Sequence, residues 1–551
     1  MTATAAIFHH PDAVERPTTP LAGRRTAGQS FLRGYARHAS AEVLHCVAGQ
    51  AGHIELFREL MTDGGWTGDV TGHLLAQPET LAAPGTMMLP GPNLGTYAWT
   101  RRRVGQAHHA LCGITHTMST RRIMEGLTDM LTSPIESWDA VICTSQAVRS
   151  VVENQFDEIE TYLRGRFAAR RVPRPQLPVI PLGIDTAQFA REPQARAAWR
   201  DKMGIGANDI AIMSMGRLSV SEKMHPGPLL IALQKVADAT DQRIVLIMVG
   251  WFNDEPAESL HRTMAEAFAP DVEVVFPDGK DDRLRYEIWS AADIFAMPVD
   301  NIQETYGLAP VEAMAAGLPV VCSDWNGFRD TVDDGVTGIR VRTLMAAPGG
   351  GRAIAGRFEA GQDNYHQYLV QVHQRTAVDV PEMVAALTAL VGDTDFRERM
   401  GQAGAERARN VYDWSNVVPQ YEALWAEQTA RRTRETPSSA PDPNGPWNPN
   451  SMDPFALYAK YPTMTLRPDA RISAKREVSE DDLKEFMRLT GAVRFKRMVS
   501  PAEDLAVIHH AVRTLGPVSF GELMQRTQAG DGVLEAAVLW MAKFDLVQIE
   551  T

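Results

Sequence analysis

The chain has 551 residues, of which 44% are hydrophobic and 22% charged, and its formal net charge is −13. This length predicts two or three domains, and the negative charge argues against a nucleic-acid-binding surface. No apolar run approaches the ~20 residues of a membrane span, and no secretory signal is recognisable at the N-terminus. We therefore expect a cytoplasmic globular protein.

The cysteines are few, and each lies within an apolar, strand-like run. They are Cys46, Cys112, Cys143 and Cys322. Their positions show no metal-ligand spacing, so they are typical of small core residues in a reducing compartment. We expect no bound metal.

The first 180 residues alternate apolar runs with helical patterns. Residues 5–8, 42–47, 109–116 and 138–145 predict strands, and residues 30–38 and 54–61 predict helices. Before the first of these helices lies a loop that contains Gly23 and Gly28. Such a loop can bring its backbone near a ligand, although an ordinary turn explains it equally well.

Two further features of this half are candidate ligand contacts. His116 stands at the end of a predicted strand, and ligands of open α/β sheets collect beyond the carboxyl ends of strands. A structural role is the more common one for a lone histidine. The basic run at residues 101–103 is either a solvated face or a contact for an anionic acceptor or for lipid headgroups.

The next part of the chain repeats the alternation. Strands are predicted at residues 210–218, 243–250, 272–279 and 293–298, with a helix at residues 229–236, which indicates a doubly wound parallel sheet. Arg217 and Lys223 follow the first of these strands. Arginine can fork two phosphate oxygens and lysine can act as a point charge, so the pair suits a diphosphate. Two solvated basic residues are the alternative.

Residues 304–321 combine a loop, a short helix and a buried strand. Gly307 and Pro310 suit a helix start, and Gly317 suits a helix end. A helix N-terminus favours a phosphate. Glu304 precedes that terminus and Glu312 lies roughly 7 Å further along the axis. The two carboxylates could thus reach opposite sides of a sugar nucleotide, whereas a buried helix with two solvated glutamates is the plainer explanation.

This stretch closely resembles the donor-site signature of retaining family 4 glycosyltransferases of the GT-B fold, in which seven residues separate two glutamates. The resemblance implies that Glu304 lies beside the donor's anomeric centre and that Glu312 holds the ribose hydroxyls. It also implies that the backbone at Gly307, Leu308 and Ala309 binds the diphosphate.

The resemblance assigns roles to the earlier candidates as well. It implies that Arg217 and Lys223 stabilise the departing diphosphate without a metal, that His116 contacts the donor sugar, and that the loop of Gly23 and Gly28 lies at the interdomain cleft. The chain departs from the family pattern at that loop, which lacks an adjacent glycine pair. It departs again at Asn326 and Asp330, where the family usually has a glycine and a glutamate.

The expected fold is therefore α/β of the GT-B type, with two Rossmann-like domains facing a cleft, at residues 1–180 and 181–428. The expected activity is transfer of a hexose from a nucleotide sugar to a glycan, lipid-linked or small-molecule acceptor, with the anomeric configuration retained. Contact with the inner membrane face would suit a lipid-linked acceptor. A GT-B epimerase, a phosphorylase and a ligand-sensing scaffold are the alternatives.

The last part of the chain has a different composition. Glycines at residues 349–351 predict a flexible insertion within the second domain, and residues 429–451 contain a linker rich in Pro, Ser, Asn and Asp. Helical patterns at residues 480–489, 502–515, 520–526 and 532–544, with an apolar end at 546–549, suggest a small winged-helix-like module over residues 452–551. Because its last helix offers only Lys543 as a basic residue, we expect a protein-interaction or dimerisation module rather than a DNA-binding one.

Overall fold

The computed structural model describes residues 4–13, 23–277, 282–438, 445–495, 498–527 and 532–550. The chain divides into two compact units, Met1–Pro449 and Asn450–Thr551.

The first unit opens with a six-stranded parallel sheet. Its strands are β1 (Ala6–Phe8), β2 (Val43–Ala48), β3 (Asp69–Leu74), β4 (Thr86–Met88), β5 (Ala110–Ile114) and β6 (Ala140–Ile142). They lie in the order β3-β2-β1-β4-β5-β6, and Ile7 of β1 is paired with Cys46 on one side and Met88 on the other. This is the doubly wound order in which the chain turns back at β1, so that β1 and β4 border the crevice where ligands bind.

Among the described residues, five α-helices accompany this sheet: α1 (Gly23–His38), α2 (Ala51–Asp63), α3 (Gly95–Arg101), α4 (Arg121–Thr132) and α5 (Gln146–Phe167). The hydroxyl of Ser145 accepts the amide of Val148 at 3.2 Å and so caps α5. Strands β3 and β4 were missed in the sequence, because β3 is polar and partly exposed and β4 has only three residues.

A second parallel sheet repeats the same winding. Its strands are β7 (Ile210–Met215), β8 (Ile244–Val249), β9 (Glu273–Val275), β10 (Ile294–Met297), β11 (Val320–Ser323) and β12 (Gly338–Val341), in the order β12-β11-β10-β7-β8-β9. The helices of this part are α6 (Pro193–Lys202), α7 (Gly227–Ala237), α8 (Glu255–Phe268), α9 (Leu308–Ala315) and α10 (Phe328–Thr331). The prediction of two Rossmann-like domains is confirmed.

The predicted flexible insertion is instead an ordered hairpin. It consists of β13 (Thr343–Met345), α11 (Arg352–Glu359), α12 (Tyr365–His373) and β14 (Thr376–Val378), and β13 pairs antiparallel with β14. A capping box between Asn364 and Gln367 starts α12, and Leu369 is fully buried. We call residues 343–378 the inserted hairpin.

In the part of the unit that the structure describes, the last helices are α13 (Val380–Gly392), α14 (Thr394–Arg407) and α15 (Trp414–Arg434). Helix α15 crosses back to the first sheet, where Trp414, Tyr421 and Trp425 join the core that contains Tyr35. The chain crosses between the two sheets twice, once near Ile184 and once near residues 412–414. These crossing segments lie side by side: the amide of Ile184 donates to the carbonyl of Tyr412 at 2.8 Å, and the amide of Trp414 donates to the carbonyl of Ile184 at 3.1 Å. Helix α15 continues to Arg434, inside the range expected for the linker.

The second unit packs helices around a small antiparallel sheet. Its elements are α16 (Pro454–Leu457), β15 (Arg471–Ala474), α17 (Glu480–Leu489), α18 (Ala502–Leu515), β16 (Val518–Ser519), α19 (Phe520–Thr527), α20 (Val533–Lys543) and β17 (Val547–Glu550), with strand order β16-β15-β17. The four predicted helices are confirmed, and β15 was missed. In α20, Ala537 belongs to the unit's own core, whereas Val533 and Leu539 are exposed.

Across the described ranges, no helix combines the length and the apolar character that crossing a membrane requires. The cysteines are free thiols and all four are buried, as expected for core residues.

Candidate functional site

The carboxyl ends of β7 and β10 bring together the charged residues that the sequence singled out. The two strands are neighbours, so the segment after β7, which carries Lys223, lies beside the segment after β10, which carries Glu304. The Lys223 ammonium forms an ion pair with the Glu304 carboxylate. Residues 81 positions apart in sequence thus form one charged centre.

Glu304 is held from several directions. Its side chain is only 9% exposed, and its second oxygen accepts the backbone amides of Thr305 at 3.1 Å and Tyr306 at 3.3 Å. Burial alone would raise the pKa of this carboxyl, but Lys223 and the two amides outweigh burial, and the pKa lies below its usual value. Glu304 is therefore an ionised carboxylate in a fixed orientation.

Arg217, directly after β7, also has a carboxylate partner. It forms an ion pair with Glu222, and its side chain is 34% exposed. Both cations predicted to bind a diphosphate are thus accessible and paired with acids. A bound diphosphate would therefore replace Glu222 and Glu304 as the ionic partner of these cations.

The start of α9 supplies backbone donors next to this centre. Gly307 precedes the helix with φ +86°, and a Cβ placed there would lie 2.0 Å from the Phe328 ring, so that only glycine fits. The amides of Leu308 and Ala309 belong to the first helical turn, whose N–H groups have no partner within the helix. The predicted loop, helix and strand are confirmed at this position.

Glu312 lies one turn inside α9 and is partly buried. Burial raises its pKa to about 7, although Arg285 and Lys223 act in the opposite direction. Glu312 and Leu308 line an open pocket between α1, the crossing segments and the second domain. Arg217, Lys223 and Glu304 are not among the described residues that line it, so this pocket covers only the Glu312 end of the candidate site.

His116 follows β5 in the first domain, at the carboxyl edge where the sequence placed it, and is partly buried. The same loop continues to Ser119, whose hydroxyl is hydrogen-bonded to the Tyr365 hydroxyl of the inserted hairpin at 2.8 Å. The predicted contact of His116 with a donor sugar stays a prediction.

The predicted glycine loop is wrong in its position. Helix α1 already begins at Gly23, and Gly28 lies in its second turn. The residues between them are compatible with a helix, and one interior glycine costs only about 1 kcal/mol, which packing can outweigh. Residues 20–22, the start of that loop, lie outside the described residues, and a donor contact of the two glycines stays a prediction.

Residues that bind across the cleft were not assigned from the sequence. Ser145 donates from its hydroxyl to the carbonyl of Thr305 at 3.0 Å, and the amide of Gln146 donates to the Asp330 carboxylate at 2.6 Å. Within the second domain, Asn326, in the left-handed region at φ +40°, donates to the carbonyl of Glu304 at 2.9 Å. The available signals were the capping position of Ser145 and the two departures from the family pattern at Asn326 and Asp330.

The basic run at residues 101–103 is not a uniform solvated face. Arg101 is fully buried and makes two hydrogen bonds to the Asp139 carboxylate, at 2.6 and 2.9 Å. Arg102 and Arg103 lie over the rings of Trp99 and Trp447. Arg101 is therefore a structural residue and is inaccessible to a lipid headgroup.

The described part of the chain contains no cluster of three or more His, Cys, Asp or Glu residues that could hold a metal ion. The absence of a metal requirement remains a prediction.

Comparison with known proteins identifies the domain that carries these loops. Residues 195–343 match the family model of Glycosyl transferases group 1. The D-inositol 3-phosphate glycosyltransferase of Corynebacterium efficiens is 26% identical over 257 residues, which cover 46% of this chain and 51% of the relative. The GDP-mannose-dependent alpha-(1-6)-phosphatidylinositol monomannoside mannosyltransferase of Mycolicibacterium smegmatis is 31% identical over 185 residues, covering 33% and 47%. The chain thus spans about half the length of these curated relatives.

Among solved structures, Anabaena Alr3699/HepE in complex with UDP matches with a TM-score of 0.50 and 16% identity, over 77% of this chain and 99% of that one. At this identity the likeness concerns the fold alone, and it agrees with the paired parallel sheets.

Proposed function

We propose that this chain, which carries a group 1 glycosyltransferase domain on a GT-B fold, transfers a hexose from a nucleotide sugar to an acceptor with retention of configuration. The observation that carries the proposal is the Lys223–Glu304 ion pair, which joins the ends of β7 and β10 beside the start of α9. It places a cation, a carboxylate and helix amides together, as a leaving diphosphate and a reacting sugar require.

The charges suggest how the transfer proceeds. Arg217 and Lys223 turn from their carboxylates to the diphosphate, where with the first amides of α9 they stabilise the charge of the leaving group. Glu304 then faces the sugar and stabilises positive charge at the anomeric carbon. His116 contacts the sugar from the first domain, and Glu312 accepts hydrogen bonds from the ribose hydroxyls.

The acceptor belongs to polysaccharide or glycoconjugate biosynthesis in this proposal. The relatives are named for inositol 3-phosphate, phosphatidylinositol monomannoside and GDP-mannose, which makes inositol phosphates and lipid-linked inositols the first acceptors to try. A lipid-linked acceptor would bring the protein to the inner membrane face, where Arg102 and Arg103, but not Arg101, have exposed surface.

The C-terminal unit is proposed to bind a protein partner or a second copy of the chain. The supporting observation is that α20 exposes Val533 and Leu539 while its other apolar face forms the unit's core. Four of its five described helices, α17 to α20, and its three strands also fit the winged-helix-like architecture expected from the sequence.

A product assay tests the proposed reaction. The wild-type protein is incubated with GDP-mannose, UDP-glucose or ADP-glucose, each with and without myo-inositol 3-phosphate or phosphatidylinositol vesicles, and the products are identified by NMR of the anomeric proton. We expect acceptor-dependent release of the nucleoside diphosphate and an α-linked product from an α-linked donor. Donor conversion without any acceptor would favour an epimerase, phosphate-dependent turnover would favour a phosphorylase, and an inverted product would contradict retention.

A further inference from the structure

The inserted hairpin begins where the family match ends, at residue 343. It is a stable element of its own: the buried carboxylate of Asp363 binds Arg357 at 2.6 and 2.8 Å and Gln371 at 2.7 Å, which fixes the turn between α11 and α12. The rings of Phe358 and Tyr368 stack at 4.5 Å between the two helices. A hairpin with these internal contacts can transmit a constraint from one end to the other.

Helix α12 lies against both loops of the candidate donor site. At its start, the His366 Nδ1 atom is 3.4 Å from the Ser221 hydroxyl and 3.6 Å from the Glu222 carboxylate, which is the partner of Arg217. At its end, the His373 Nδ1 atom is 3.6 Å from the buried carboxylate of Asp300. These contacts flank Lys223 and Glu304 in sequence.

The start of α12 also reaches the first domain. The Tyr365 hydroxyl accepts the Gln303 side-chain amide at 3.4 Å, one residue before Glu304, and it is hydrogen-bonded to the Ser119 hydroxyl, three residues after His116. One phenolic group therefore touches the donor loop and the opposite side of the cleft.

A second contact anchors the hairpin to the first domain. Arg121, at the start of α4, donates to the carbonyls of Phe358 and Glu359 at the end of α11, the latter at 3.0 Å. Its guanidinium also lies 5.3 Å from the centre of the Phe358 ring. Because a cation is favourable at a helix C-terminus, Arg121 stabilises α11 where it contacts the first domain.

We propose that the inserted hairpin is a strap that couples closure of the cleft to the two donor loops, and that Tyr365 is the positioning residue through which the coupling acts. When the domains approach, the hydrogen bond to Ser119 holds α12 against residues 217–225 and 300–304. This contact fixes the backbone that carries the Arg217 and Lys223 side chains. Tyr365 acts through these loops and need not touch the donor. The inference rests on the proposed function only in identifying these loops as the donor site.

Two conservative variants and a matched control test the strap. Tyr365→Phe and Ser119→Ala each remove one hydroxyl of the cross-cleft bond, and Tyr368→Phe removes a hydroxyl one turn further along α12 while keeping its stacked ring. We expect each of the first two to raise the donor KM about three- to tenfold, as the loss of one hydrogen bond implies, without lowering the melting temperature. The double variant should be no worse than either single one, and Tyr368→Phe should behave as wild type.

A measurement without donor separates this inference from the proposed function. In hydrogen exchange of the ligand-free protein, residues 217–225 and 300–304 should exchange several-fold faster in Tyr365→Phe than in wild type or Tyr368→Phe. Faster exchange supports the strap even if no nucleotide sugar binds, a result that would refute only the proposed function. Unchanged exchange, or additive effects in the double variant, would overturn the strap.

Discussion

The two sheets of the first unit have the same strand order but present different chemistry at their carboxyl ends. The first sheet ends in His9 after β1, His116 after β5 and Ser145 after β6. The second ends in the pairs Arg217–Glu222 and Lys223–Glu304. Because the winding is the same, the asymmetry comes from the side chains, and it favours the second sheet as the one that binds a diphosphate.

Loss of Lys223 should test this asymmetry with the largest effect. Lys223→Ala removes the cation beside Glu304, and we expect turnover on a confirmed donor to fall about a hundredfold, since stabilisation of a leaving group is worth ~3 kcal/mol. Lys223→Arg should retain part of the activity. Lys235→Ala, which removes an exposed lysine on α7, serves as the control. Equal rates for the two alanine variants would contradict the assignment of Lys223 to the leaving diphosphate.

Substitution of Glu304 and of Glu312 should change different kinetic constants. Glu304→Gln should lower kcat more than tenfold, because its charge is needed only as the anomeric carbon becomes positive. Glu312→Gln should mainly raise the donor KM, because a ribose contact exists equally in the ground and transition states. Steady-state kinetics on the same donor decide between them, and purely KM-based losses in both variants would contradict the division of roles.

Donor binding should depend on pH through Glu312. Its pKa is raised to about 7 in the free protein, and an ionised carboxylate is the better acceptor for two ribose hydroxyls. Binding should therefore release a proton, and affinity should rise about tenfold from pH 6 to pH 8. Calorimetry with a nucleotide sugar, whose diphosphate does not titrate in this range, measures this effect.

The Glu312→Gln variant is the control for that pH dependence, and its affinity should be the same at both pH values. The raised pKa also means that the folded protein binds this proton more tightly than the unfolded chain. The ligand-free wild type should thus lose stability relative to Glu312→Gln as pH rises from about 4.5 to 7. A wild-type affinity that does not vary with pH would show that Glu312 does not contact the ribose.

The smallest effect on the donor site is expected from removal of the second unit. Deletion of residues 450–551 should leave donor affinity unchanged, because every candidate donor residue lies in the first unit. Light scattering after size-exclusion chromatography should show a lower oligomeric state or loss of a partner. An unchanged oligomeric state, together with salt-sensitive DNA binding by the full chain, would favour the DNA-binding alternative.

The second sheet was far easier to predict than the first, for physical reasons. Its strands β7, β8, β10 and β11 are buried and almost wholly apolar, and the segment from Glu304 to Val321 places helix signals and charges in one contiguous stretch. In the first sheet, β4 has only three residues and the polar β3 has no clear period. Helix propensity at residues 24–27 was also underestimated, which misplaced the loop of Gly23 and Gly28.

Contacts that depend on tertiary structure could not be read from the sequence at all. The pairing of Lys223 with Glu304 needs the adjacency of β7 and β10, and the bond between Ser119 and Tyr365 spans 246 positions. The glycines at residues 349–351 suggested flexibility, whereas the helices that follow them are fixed by the carboxylate of Asp363. Local patterns predicted elements and individual charges, but not these partnerships.

A thermal-shift titration with GDP-mannose, UDP-glucose and ADP-glucose tests the central claim most directly. A ligand at 100 times its dissociation constant adds about 2.7 kcal/mol of stability, so at least one of the three should raise the melting temperature of wild type and of Lys235→Ala. The same ligand should shift Lys223→Ala far less. If none of the three changed the wild-type melting temperature, or if Lys223→Ala responded as wild type does, the loops after β7 and β10 would not be the site of a nucleotide sugar.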